Sequence, residues 1–136
     1  MVTLRSSVRE SAMKPIKLLG AATALVMAAT PAFAANWVLV TYSGKIAYEV
    51  DVSSIKQLSP DVKRAWTRFS LKNEIRKPLS LEEFNCRLEE NRNTYSAIEN
   101  GDGLEGSPVR NKYDHWRPVA PGTVGQIMLQ FVCKQR

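Results

Sequence analysis

Between residues 36 and 110 the apolar and polar positions mostly alternate, and only the C-terminal segment changes to a helical period. There Val124, Ile127, Met128, Phe131 and Val132 fall at i, i+3, i+4, i+7 and i+8, while Gln126, Gln130 and Lys134 lie mostly off that line. This is one apolar stripe of the 3.6 period, and such a stripe has to be buried. Thr123 and Gln126 precede it as a T-x-x-Q capping box. In that motif the hydroxyl accepts the amide of residue 126 and the glutamine side chain reaches back to the amide of residue 123. A helix is predicted from about Val124, and the upstream strands are what it covers.

Asn36 to Tyr42 and Lys45 to Val50 are rich in β-branched and aromatic residues and are separated by Ser43-Gly44, which predicts a hairpin. Asp51 opens D-V-S-S-I, where its carboxylate is placed to cap the amides of Ser53 or Ser54 in a single turn, with Ile55 folding back as an apolar plug. Ser59-Pro60-Asp61 turns the chain into a long strand from Val62 to Lys72. Its alternation puts Ala65, Thr67, Phe69 and Leu71 on one face and Arg64, Trp66, Arg68, Ser70 and Lys72 on the other. Ser80 to Leu88 repeats the pattern, with Phe84, Cys86 and Leu88 expected toward the helix. Asn93 to Glu99 predicts a fifth strand, residues 100 to 103 a tight turn, and Leu104 to Arg110 a sixth strand with Pro108 at an edge. Asp102 and Glu105 lack the D-x-[DN]-x-[DN]-G spacing of a calcium loop, so a hairpin turn is expected there.

Composition changes this picture at the N-terminus. Lys14 and Lys17 precede an apolar run from Leu18 to Ala29, and Ala32-Phe33-Ala34 is an A-x-A site followed by Ala35. These features predict a signal peptide over residues 1–34 with cleavage between Ala34 and Ala35, and they point to Met13 as the functional start. The apolar run is shorter than the ~20 residues of a membrane span. The leader carries four of the 19 basic residues and one of the 13 acids, which leaves 15 against 12 in the chain from Ala35 onward. A balance that small excludes charge as a ground for a nucleic-acid or anionic-membrane partner. The remaining 102 residues make one small domain, residues 35–136, able to bury roughly two-thirds of its unfolded surface. Cys86 and Cys133 are the only cysteines, and in an oxidising compartment an even count reads as one disulfide. With His115 they fall short of a four-ligand zinc site, and neither a metal nor a cofactor is expected.

The Trp-initiated opening N-W-V-L-V, the E-V-D-V-S-S-I element, the F-N-C strand and the closing W-R-P-V-A-P-G-T-V-G-Q-I-M-L-Q-F-V-C resemble, in this order, the bacterial surface-adhesin protein E family. The resemblance covers essentially all of the chain after the leader. It implies an α+β fold in which an antiparallel sheet of about six strands is packed by a C-terminal helix, with Cys86 and Cys133 at the paired positions and a binding role. The family's namesake type is a lipoprotein. Here the leader ends A-F-A-A with no cysteine to accept lipid, so the expected product is exported to the periplasm or beyond and is not lipid-anchored.

Catalysis is not expected. Asp114 and His115 are adjacent, so in an extended segment they project to opposite faces. Glu82, Glu83, Glu89 and Glu90 form charge runs of the kind that are usually solvated. The candidate binding residues are Arg64, Trp66 and Arg68, whose guanidiniums and indole stand side by side and suit a protein or anionic glycan ligand. Against this stands a plainer reading, in which Trp66 is buried against a second layer or a homodimer partner with arginine stems at its rim. Two functions follow, a secreted adhesin-like binding protein or a soluble periplasmic accessory protein that engages another envelope protein, with an unrecognised hydrolase third.

Overall fold

The computed structural model describes residues 34–136; the leader expected over residues 1–34 lies, except for Ala34, outside the described residues. The strands are β1 (Trp37–Ser43), β2 (Ile46–Asp51), β3 (Lys56–Ser59), β4 (Val62–Leu71), β5 (Lys77–Asn85), β6 (Glu90–Asn100), β7 (Gly103–Leu104), β8 (Val109–Arg110) and β9 (Arg117–Pro118), followed by α1 (Val124–Lys134). All pairings are antiparallel. The order is β1-β2-β4-β5-β6-β7, with β3 on β4 and with β8 and β9 on β6. One helix on one face of an antiparallel sheet is the expected α+β architecture.

Local chemistry explains most element ends. The β1–β2 loop is Gly44-Lys45, one residue later than expected, because Ser43 pairs with Ile46 and Gly44 adopts the positive φ of 57° that a two-residue hairpin needs at its first loop position. Asp51 Oδ1 accepts the amides of Asn36 (2.8 Å) and Ser53 (3.0 Å), which holds the 3-10 turn Val52–Ser54, and Ile55 packs on the core. Thr123 caps α1 by accepting the Gln126 amide at 3.3 Å. The reciprocal half of the box differs from expectation: Gln126 Oε1 accepts from Gly122 N (2.8 Å), not from Thr123 N. Gly122 has φ 73°, which turns its amide within reach.

Val50, Ala65 and Phe84 on the sheet meet Met128, Leu129 and Val132 on α1, with Val40, Tyr48, Ile55 and Phe131 at the margin. Burying one such aliphatic or aromatic side chain stabilises by about 1.5–3 kcal/mol. Three expectations need correction. Ile127 is 42% exposed while Leu129 is 4% exposed, because α1 seats the row Gly125, Met128, Leu129 and Val132 against the sheet. Phe69 and Leu71 share the α1 face with Ala65 and Thr67, as expected, but lie at its margin and are 44% and 43% exposed. Leu88 is also exposed, because β5 stops at Asn85 and residues 86 to 89 turn, with Glu89 at φ 54°. The sixth strand contracts to β7 and β8, separated by residues 105–108, since Pro108 supplies no donor for a ladder. The short strands β3 and β9 were not expected at all.

Cys86, one residue past β5, is bonded to Cys133 in the last turn of α1 across a separation of 47 residues. Lys63 on β4 adds a second tie, since its Nζ donates to the carbonyls of Cys133 (3.2 Å) and Gln135. A cation on the last carbonyls of a helix complements its dipole.

Candidate functional site

The face of the sheet opposite α1 is assembled by register. Trp66 on β4 pairs with Leu81 on β5, which pairs with Tyr95 on β6, which pairs with Arg110 on β8. Arg64 pairs with Glu83, which pairs with Arg92, and Arg68 lies between Glu49 and Leu79. A bulge at Thr94 is required for this, since Leu81 meets Tyr95 while Glu82 meets Asn93. The extra residue moves Arg92 to the same face as Tyr95, although residues three apart in a regular strand point opposite ways. Thr94 anchors the bulge by donating its hydroxyl to Leu81 O at 2.9 Å.

Three arginines on this face stack on aromatic rings. Arg68 lies 4.2 Å from the centroid of Trp37, Arg92 lies 4.7 Å from that of Trp116, and Arg110 lies 5.9 Å from that of Tyr95. Two of them are also ion-paired: Arg68 with Glu49 and Glu99, each at 2.7 Å, and Arg92 with Glu83. The three candidate residues therefore share a face but differ in state. Arg68 is neutralised by two carboxylates that hold its guanidinium in the charged form despite burial. Arg64 is half-buried and, among the described residues, has no carboxylate within ion-pair distance. Trp66 is half-buried, and its backbone amide donates to Ser54 Oγ at 2.8 Å, which fixes β4 to the 3-10 turn. No second helix stands on this face among the described residues. The role of Trp37 and Trp116 as arginine platforms was not foreseen, because each stack joins residues distant in the chain and depends on strand order.

The acids do not converge. Glu83 faces Arg92, Glu82 lies on the α1 side with Thr67, and Glu89 sits in the exposed turn. Burial raises the Glu82 pKa, opposed by hydrogen bonds from Thr67 Oγ1 (2.9 Å) and Asn91 Nδ2 (3.4 Å). His115 is exposed and accepts from Arg117 Nε at 3.4 Å, while Asp114 pairs with Arg110. Glu105 is held by Arg76, whose hydrogen bond lowers its pKa. Among the described residues no three His, Cys, Asp or Glu side chains gather as a metal site, and no helix is long and apolar enough to cross a membrane.

Comparison with curated proteins and with solved structures gives no match. The family described as surface-adhesin protein E matches residues 37–134, from the first residue of β1 to the last residue of α1. That span contains the whole sheet, the disulfide and the helix, and it covers well over half of the chain. The protein therefore belongs to the surface-adhesin protein E family.

Proposed function

We propose that the protein is an exported, non-catalytic binding domain of the bacterial envelope, which engages a protein or an anionic glycan through the sheet face opposite α1. The observation that carries this reading is the central row Trp66, Leu81 and Tyr95, which no second helix covers among the described residues and which arginines flank. An indole amid guanidiniums is the composition from which binding hot spots are commonly built. Since Arg68 and Arg92 are already paired with carboxylates, Arg64 is the guanidinium left to meet an anion. The indole supplies most of the contact area.

The test combines location with two variants. Fractionation of cells carrying the tagged full chain is expected to recover it outside the cytoplasm. Exposure at the outer surface supports adhesion, whereas recovery from the periplasm alone favours the accessory protein that engages an envelope partner. With immobilised heparin as the sulfated probe, Trp66→Ala is expected to weaken binding more than ~10-fold, or about 1.4 kcal/mol. Its loss of stability is expected to stay below about 2 kcal/mol, and Arg64→Gln to weaken binding most at low salt. Cytoplasmic retention of the chain would overturn the proposal, as would a Trp66→Ala stability loss of about 3–5 kcal/mol, the cost of emptying a core site.

A further inference from the structure

Strand alternation turns Tyr48 on β2, Thr67 and Phe69 on β4, Glu82 on β5 and Asn91 on β6 toward the α1 side of the sheet, beside the start of the helix. Val124 and Met128 of α1 stand over these residues and leave a cleft of about 270 Å³ between helix and sheet. Arg68 also borders the cleft, but its guanidinium is held by Glu49, Glu99 and the Trp37 ring on the opposite face. We infer that the cleft binds a primary alkylammonium group, of a free amine or of a partner's lysine side chain, with Glu82 as its counter-ion.

The carboxylate carries most of the argument. Glu82 accepts only from neutral donors, Thr67 Oγ1 at 2.9 Å and Asn91 Nδ2 at 3.4 Å. Among the described residues no Lys, Arg or His lies within ion-pair distance of it, whereas Glu49, Glu83 and Glu99 of the same sheet each meet a guanidinium. Burial raises its pKa and no positive side chain offsets that effect. Arg92, His115 and Arg117 border a separate gap at the edge of β6 that Glu82 also lines, but none of them lines this cleft. A desolvated charge without a counter-ion is costly. An ammonium brought beside it recovers part of that cost through a charge-assisted hydrogen bond in a weakly screened site. Glu82 remains reachable, since it is half-buried and lines the cleft. The walls suit the rest of such a ligand. Phe69 is 44% exposed, and the Tyr48 ring lies 6.2 Å from it, centre to centre. Aromatic faces attract an ammonium, and Val124 and Met128 offer apolar cover to the methylenes behind it. The volume lies below the roughly 300–1,000 Å³ of sites for drug-sized ligands, which limits occupancy to one short chain. Charge then selects among short chains, because Glu82 repels an anion and a neutral hydroxyl gains no ion pair.

The test is an amide chemical-shift titration of the folded full chain with n-butylammonium chloride, n-butanol, sodium butyrate and a lysine blocked at both its amino and carboxyl ends, all at matched ionic strength. The butylammonium ion is expected to produce saturable shifts concentrated in residues 67–69, 80–82 and 124–128, with n-butanol and butyrate at least ~10-fold weaker. Glu82→Gln, which keeps the shape of the side chain and removes its charge, and Phe69→Ala, which removes an exposed ring, are each expected to weaken that binding ~10-fold or more. Trp66→Ala, on the opposite face, is expected to leave it unchanged, which separates this site from the one proposed above. Blocked lysine binding more tightly than butylammonium supports the site with a partner's side chain as the source, and the reverse order supports it with a free amine. The inference is overturned if neither cation shifts these residues at high millimolar concentration, or if n-butanol or butyrate binds as tightly as butylammonium. It is equally overturned if Glu82→Gln or Phe69→Ala leaves the affinity unchanged.

Discussion

Glu82 is held where its charge is opposed, and the consequence is a pH-dependent stability. Burial raises its pKa in the folded chain above that of the unfolded chain, so the folded state binds the proton more tightly. The corresponding stability is fully present below the unfolded pKa and is lost as pH rises through the folded one. Glu82→Gln imitates the protonated form. It is expected to raise the melting temperature at pH 7, with the gain disappearing below about pH 4, near the ordinary glutamate pKa. Thermal melts of both proteins across that range check the sign; a variant less stable than the parent at pH 7 contradicts it. Sequence alone named Glu82 only as one of several solvated acids, because desolvation depends on Thr67, Asn91 and the helix gathering around it.

The helix shows how far a periodic pattern reaches. Its start, its Thr123 cap and its burial against strands follow from residues within one turn of each other, and all are read correctly from the chain. Its rotation does not follow, because the stripes through Ile127 and through Leu129 both satisfy the 3.6 period and share Met128 and Val132. Gly125 belongs to the second stripe and leaves α1 room near Val119, where an added Cβ would sit at ordinary contact distance. Urea denaturation separates the two rows: Leu129→Ala is expected to cost about 2–5 kcal/mol. Ile127→Ala, at a 42% exposed position, is expected to cost about 1 kcal/mol or less. Equal costs would reject this orientation of the helix.

For the molecule as a whole, the Cys86–Cys133 bond and the Lys63 contacts fasten the same end of α1 to the sheet. Closing 47 residues of unfolded chain is worth about 4 kcal/mol in the chain-entropy account. Replacing both cysteines by alanine is therefore expected to lower stability by about 2–5 kcal/mol, measured by denaturant unfolding under oxidising conditions. A loss under about 1 kcal/mol would show that Lys63 and the apolar contacts suffice to seat the helix. The corresponding chemical test is peptide mapping without reductant, in which a free thiol in the folded parent would contradict the bond.

The sequence by itself determined the strand-rich order, the terminal capped helix, the cysteine pair and the family, because each depends on local periodicity, turn chemistry or an ordered set of short motifs. It also placed Arg64, Trp66 and Arg68 on one face, since no bulge interrupts β4 between them. Only the tertiary structure decided what surrounds them: Arg68 between Glu49 and Glu99, Arg92 on Trp116, and Trp66 beside Leu81. The physical reason lies in the bulges at Val40 and Thr94 and in the return of residues 109–118 to the edge of β6. One inserted residue reverses every later side chain, and an edge pairing brings together positions far apart in the chain, so neither is encoded in any short window of sequence.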